Sequence, residues 1–127
     1  MAGKKLKTLT FKPGADLFKE GEAGTVAYVI RKGLVSVWRN EGGQRVHLAA
    51  RCEGDVVGEM ALLDNTTRSA TCTAQDEVTV EVIDKATLDA LLAESPETLR
   101  TILHQFFESL RAANDLIGMY ASRPPGK

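Results

Sequence analysis

Gly54-Asp55-Val56-Val57-Gly58-Glu59-Met60-Ala61-Leu62-Leu63-Asp64-Asn65-Thr66-Thr67-Arg68-Ser69-Ala70-Thr71 is the one passage of this 127-residue chain that reads as a site rather than as scaffold. Gly54-Asp55 reads as a tight turn, and Gly58 lacks the Cβ that would keep backbone N–H groups away from a ligand. Glu59-Met60-Ala61-Leu62-Leu63 is a short run of good helix formers, so the first free N–H groups of a helical turn follow directly on that glycine. A helix start attracts anions. After the polar turn Asp64-Asn65-Thr66-Thr67 the chain delivers Arg68, a permanent cation whose fork of donors matches a phosphate, with the Ser69 hydroxyl beside it. Glu59 would repel a phosphate. It fits if it accepts hydrogen bonds from neutral hydroxyls, such as those of a ribose, while Arg68 takes the charge. The plainer alternative is a surface turn with an ordinary ion pair between Glu59 and Arg68.

Outward from this passage the pattern is one of strands. Leu9 to Lys12 reads as a short strand stopped by Pro13-Gly14, which suits the centre of a type II turn, and Asp16 to Glu20 as a second strand stopped by Gly21. Val26, Tyr28 and Ile30 alternate with Ala27, Val29 and Arg31. Lys32-Gly33 then turns the chain into Leu34 to Arg39, again with period two, which predicts a hairpin. Asn40-Glu41-Gly42-Gly43 is a further turn before Gln44 to Ala50, and the pattern resumes beyond the site with Ala70 to Ala74 and Val78 to Ile83. Strand and turn at this pace predict an antiparallel barrel or sandwich, into which residues 54–71 are inserted. A rigid sheet fixes both ends of such an insertion, which suits it to ligand binding.

Asp84 is a good N-cap for a short helix from Lys85 to Leu92. Ser95-Pro96-Glu97 supplies an N-cap, an N1 proline and a first-turn acid for a longer one. Leu99, Ile102, Leu103, Phe106, Phe107, Leu110, Ala113 and Ile117 recur at three and four, opposite Arg100, Gln105, Glu108, Arg111 and Asp115. This amphipathic helix is expected to bury its stripe against the sheet. Arg123 to Lys127 reads as a short tail.

Gly58-Glu59-Met60-Ala61-Leu62-Leu63 followed by Arg68-Ser69-Ala70 resembles the phosphate-binding cassette of cyclic nucleotide-binding domains, and the resemblance runs from about Leu9 to Tyr120. It implies a mainly β fold with C-terminal helices, an antiparallel β-jelly-roll barrel of about eight strands with a short cassette helix and a lid helix. It also implies that Glu59 holds the ribose 2′-hydroxyl, Arg68 the cyclic phosphate, and the Ala61 and Ser69 backbone the remaining phosphate oxygens. The candidate contacts are Gly58, Glu59, Met60, Ala61, Arg68, Ser69 and Ala70 of the cassette. Val46 and Leu48 join them from the preceding strand. From the later turns of the last helix, Leu110, Asn114, Ile117 and Tyr120 are candidates to cover the purine. Asn114 stands out, since an amide both donates to and accepts from a purine edge. Many family members carry an aromatic where this chain has Val57, and leucine or isoleucine at Met60; both positions stay apolar. Alanine at position 69 accompanies cyclic AMP preference in the family, and threonine there helps hold guanine. Serine offers the hydroxyl without the methyl, so cyclic AMP is favoured and cyclic GMP admitted.

Length and composition fit a single domain, divided into a basic tail (1–7), a barrel (8–84) holding the cassette, C-terminal helices (85–120) and a tail (121–127). With 43% hydrophobic residues, 26% charged residues and a formal net charge of -1, the chain has no bulk attraction for nucleic acid. Lys4, Lys5 and Lys7 read as a solvated tail. Cys52 and Cys72 are the only cysteines, too few for an iron–sulfur cluster, and no apolar run approaches a membrane span. Met1-Ala2-Gly3-Lys4-Lys5 leads into a strand-like run rather than an apolar signal segment, so a cytoplasmic chain with reduced thiols is expected. His47 and His104 have no ligand-spaced partner, which argues against a metal site and a cupin-type enzyme, and Trp38 reads as packing.

No nucleophile–base pair, metal cluster or paired acids accompany the cassette. The expectation is a stand-alone, non-enzymatic regulatory module with no cofactor beyond its cyclic nucleotide ligand, signalling to an effector protein through movement of the lid helix. A degenerate version of the fold that docks proteins without nucleotide is the alternative, and the apolar helix also offers a surface for a homodimer.

Overall fold

The structure, a computed structural model, describes residues 6–62 and 67–121, with side chains as far as residue 113. Eight strands are formed, β1 (Lys7–Phe11), β2 (Asp16–Phe18), β3 (Val26–Lys32), β4 (Val35–Glu41), β5 (Gln44–Arg51), β6 (Val56–Val57), β7 (Thr71–Ala74) and β8 (Val78–Asp84). They pair antiparallel in two four-stranded sheets, in the orders β1-β8-β3-β6 and β2-β7-β4-β5, rather than in one closed ring. This is the expected jelly-roll architecture of about eight strands, with β1 starting inside the expected tail. Its core is Leu17, Tyr28, Ile30, Val35, Val57, Cys72, Ala74, Val78 and Val80, drawn from both sheets. Period-two alternation explains the selection: Ile30 and Tyr28 face inward while Val29 and Arg31 do not reach full burial.

The expected hairpin over residues 26–39 is not formed. Strand β3 pairs with β8 and β6, whereas β4 pairs with β5 and β7, so the turn at Lys32-Gly33 carries the chain from one sheet to the other. The Leu34 N–H donates to Asp76 Oδ1 (2.8 Å) and its carbonyl accepts from the Gln75 N–H (2.8 Å), so the groups a hairpin would pair locally are taken by residues some forty positions on. Gly33 sits in the left-handed region (φ 99°). A true hairpin follows one turn later, where Gly42 and Gly43 (φ 61° and 83°) close β4 onto β5 with Glu41 opposite Gln44. Trp38 is more than packing: its Nε1–H donates to Thr73 Oγ1 (2.9 Å), whose own hydroxyl donates to Asp16 Oδ1 (2.6 Å).

Two helices follow, α1 (Lys85–Ala93) and α2 (Glu97–Ala121). Asp84 caps α1, its Oδ1 accepting from the Thr87 N–H at 2.7 Å. Ser95 does not cap α2 as expected; its hydroxyl donates to the Leu91 carbonyl (3.0 Å) and so closes the end of α1. On α2, Leu99, Ile102, Phe106 and Leu110 are exposed, Phe106 to 64%, and only Leu103 and Phe107 among its bulky apolar residues are half-buried within the described part. The chain divides into two compact units, Met1–Leu88 with all the strands and Asp89–Lys127 with most of the helical residues.

Gly33→Ala tests the sheet crossing. The new Cβ would lie against the Glu77 carbonyl and 2.9 Å from Val78 Cα, at a φ that disfavours any side chain. Chemical denaturation should show a loss of about 2 kcal/mol or more, since strain of about 1–3 kcal/mol adds to the clash; a neutral substitution would mean that Gly33 is not the pivot.

Candidate functional site

The residues that gather around the cassette are held by β2, β3 and the loop between them. The Arg68 N–H donates to the Glu22 carbonyl (2.7 Å), the Arg68 carbonyl accepts from the Gly21 N–H (2.8 Å), and Thr67 bridges to Ala23. These backbone bonds fix where the Arg68 side chain starts. It runs inward rather than out to solvent and is only 8% exposed. Its Nη2 donates to the Val26 carbonyl (2.7 Å), its Nη1 makes a long bond to the Gly58 carbonyl (3.4 Å), and its guanidinium lies 4.0 Å above the Phe18 ring centroid. Phe18 in turn stacks on Tyr28, with centroids 6.2 Å apart and planes 15° apart. Among the described residues, Nε is buried without a hydrogen-bond partner.

Among the described residues no carboxylate forms an ion pair with Arg68, so the ordinary Glu59–Arg68 pair weighed as an alternative is not made. Burial pushes the Arg68 pKa down, with Tyr28, Cys72 and Glu22 opposing that shift. Arginine stays protonated regardless, so the direction describes a cation under tension rather than a neutral group. Burial likewise raises the Tyr28 pKa, against the pull of Arg68. Among the described residues the Arg68 guanidinium is contacted by carbonyl dipoles and an aromatic face. An anion would relieve this more than any group now present.

The expected short cassette helix is a four-residue 3₁₀ helix, Glu59–Leu62, opened by Glu59, whose side chain is exposed. Gly58 adopts φ 77°, and a Cβ there would fall 2.6 Å from Arg68 Nη1, so its lack of a side chain serves both the turn and the guanidinium. Ala61 is buried and its N–H donates to the Gly58 carbonyl (3.1 Å), closing the turn. Met60 is half-buried, Ser69 exposed and Ala70 buried. Burial pushes the Cys72 thiol from its ordinary 9.0 up to about 12, with Arg68 opposing and Glu59 reinforcing.

Val46 and Leu48 lie on β5, an edge strand. The register shifts between Val37, which faces Ala49, and Trp38, which faces His47, so Leu48 is the extra residue of a β-bulge and is 47% exposed. Asn114, Ile117 and Tyr120 fall outside the side chains described, as do residues 63–66 of the cassette. Phe18, Val26 and Gly24 surround Arg68 although nothing in the cassette pattern points to them. The one legible signal was the second glycine of Gly21-Glu22-Ala23-Gly24.

A buried guanidinium with no acid partner among the described residues and an exposed carboxylate thus flank a glycine-led turn inserted in the jelly roll. The sequence model of the cyclic nucleotide-binding domain matches residues 8–95, and the chain belongs to that family. It is 37% identical over 89 residues to a cGMP-dependent protein kinase of Toxoplasma gondii, covering 70% of this chain and 9% of the kinase. It is 30% identical over 115 residues to the cAMP-dependent protein kinase regulatory subunit of Debaryomyces hansenii, covering 89% of this chain and 25% of the subunit. Thus the chain spans a quarter or less of these relatives. Among solved structures, the EAL enzyme Bd1971 in its half-site-occupied form superposes with a TM-score of 0.82 at 27% identity, covering 87% of this chain and 99% of that one. Its cAMP-bound form gives 0.65 at 28% identity, over 89% of this chain and 31% of that one. Its cGMP-bound form gives 0.67 at 27% identity, over 86% and 29%.

The two free thiols provide a check on the site's interior. Cys52 is exposed and Cys72 buried, so a thiol reagent near pH 8 should modify Cys52 in the folded protein and reach Cys72 only on denaturation. Because the folded thiol ionises near 12 and the unfolded one near 9.0, the stability gained by keeping Cys72 protonated is whole below about pH 9 and is lost as pH climbs towards 12. Prompt modification of both thiols in the native state would contradict this burial.

Proposed function

We propose that this chain is a regulatory module that binds a 3′,5′-cyclic nucleotide, cyclic AMP in preference and cyclic GMP as well, and performs no chemistry on it. The observation that carries the reading is Arg68, a cation held at 8% exposure with an orphan Nε and no acid partner among the described residues. In this reading the cyclic phosphate neutralises Arg68, Glu59 accepts from the ribose 2′-hydroxyl, and the backbone around Gly58, Met60, Ala61, Ser69 and Ala70 cradles the phosphate. Val46 and Leu48 flank the base. The bulge at Leu48 supports this role, since bulges re-aim side chains at sites. Kinship with both cyclic AMP- and cyclic GMP-dependent proteins supports a ligand class wider than one nucleotide.

Binding is read out by movement of α2, with Asn114 and its neighbours covering the purine, in a cytoplasmic setting. No helix among the described residues is long and apolar enough to cross a membrane. The exposed stripe Leu99, Ile102, Phe106 and Leu110 supports a partner for α2, whether an effector protein or a second copy of the chain. The same stripe is the observation favouring a docking domain that works without nucleotide.

Arg68→Ala should cost on the order of 3–5 kcal/mol, by analogy with broken buried ion pairs, or roughly a hundred- to a thousandfold or more in affinity. Calorimetric titration with cyclic AMP, cyclic GMP and 5′-AMP would read it, and a folded mutant that binds like the parent would end the cassette assignment. Glu59→Gln should weaken binding less, because an amide oxygen still accepts from a hydroxyl. Failure of the parent to bind either cyclic form, once bound ligand has been extracted, would favour the docking domain.

A further inference from the structure

Arg68 is aimed by its surroundings as much as by its own backbone, and two of the residues that aim it lie outside the cassette. Phe18, the last residue of β2, presents its ring face 4.0 Å beneath the guanidinium carbon. The ring is itself braced by Tyr28, which stands edge-on to Phe11 with centroids 6.1 Å apart and planes at 81°. On another side, a Cβ added to Gly24 would lie 2.6 Å from Arg68 Nε and 2.7 Å from Cζ. Gly24 is not among the glycines with positive φ, so its backbone conformation makes no demand for glycine. What requires a glycine there is the guanidinium. The nearest atoms all belong to the Arg68 side chain, so a methyl group at position 24 displaces that side chain before it disturbs the fold.

We propose that Phe18 and Gly24 are positioning residues for the anion-binding arginine, together forming a slot, with an aromatic floor and a glycine wall, that holds the Arg68 guanidinium at the orientation in which it receives a phosphate. The aromatic face is what a cation without an acid partner can use: it attracts the charge yet does not compete for the ligand as a carboxylate would. A cation over a desolvated ring gains enough to account for a several-fold to about thirtyfold change in affinity when the face is removed. The inference rests on Arg68 binding the nucleotide phosphate, and it extends that reading to residues 40 positions or more upstream in the sequence.

Phe18→Leu keeps an apolar side chain and removes the π face; Phe18→Tyr keeps the face; Gly24→Ala closes the slot. Titration of each full-length variant with cyclic AMP, beside thermal unfolding without ligand, should show three- to thirtyfold weaker binding for Phe18→Leu and at least as large a loss for Gly24→Ala. Phe18→Tyr should remain within about twofold of the parent. The Arg68 Nε–Hε NMR signal, shielded by the ring in the parent, should move downfield in Phe18→Leu and stay in place in Phe18→Tyr. A purely structural role for Phe18 would lower the unfolding temperature while leaving the affinity for cyclic AMP unchanged. If the parent binds and Phe18→Leu binds equally well, or if Phe18→Tyr loses as much as Phe18→Leu, the slot is wrong while the nucleotide reading stands. A parent that binds neither nucleotide overturns the functional reading, and the slot with it.

Discussion

Taking a guanidinium out of water has to be offset by something, and around Arg68 the offset comes from carbonyl oxygens and an aromatic ring rather than from an acid. Much of the surrounding architecture follows from that constraint. Position 58 must be glycine both to turn the chain and to leave room for Nη1, position 24 must leave room for Nε, and Val26 must end its run of ladder pairing with a carbonyl free to accept. The backbone bonds from Arg68 to Gly21 and Glu22 then fix the loop that carries Gly24. A carboxylate in the same place would stabilise the ligand-free chain better, but it would have to be displaced by each incoming anion. Carbonyl dipoles hold the cation without saturating it.

The two sheets supply the rigidity this arrangement needs. Phe18, Val26, Tyr28 and Cys72 all come from strands, and the core residues Ile30, Val35, Val78 and Val80, buried essentially completely, lock those strands in register. The 3₁₀ turn at Glu59–Leu62 is by contrast short and carries its carboxylate in the open. The candidate site therefore pairs a cation held by strands with a carboxylate carried on a short exposed turn.

What the sequence made legible was the part governed by local chemistry. Glycine and asparagine turns, the Asp84 cap and strand alternation were all readable, as was the spacing of Glu59 and Arg68 around Gly58. What it concealed depended on distant partners. Lys32-Gly33 between two alternating runs has every local mark of a hairpin, and the distant strand partners, with Gln75 and Asp76 on Leu34, make it a crossing. Ser95 before Pro96 looks like a cap, yet its hydroxyl finds the Leu91 carbonyl first. The extra residue at Leu48 leaves no mark on an otherwise regular strand, and the inward course of Arg68 is set by Phe18 and Val26, neither of which has a pattern of its own. The apolar period of α2 gave the helix correctly, but period alone could not say whether its stripe is covered.

The crossing at Gly33 bears on the order in which the chain acquires structure. Leu34 draws both of its backbone partners from Gln75 and Asp76, so the junction between the sheets is completed by residues made long after it. Closing so long a loop costs entropy before any contact repays it. A nascent chain that has emerged only as far as Glu41 has the two strands of the junction but not the carboxylate that holds them apart, and nothing yet forbids the local hairpin its sequence imitates. The residues that complete the junction, Gln75 and Asp76, also follow Arg68 in the chain, so Arg68 is made before the partners of Leu34 are.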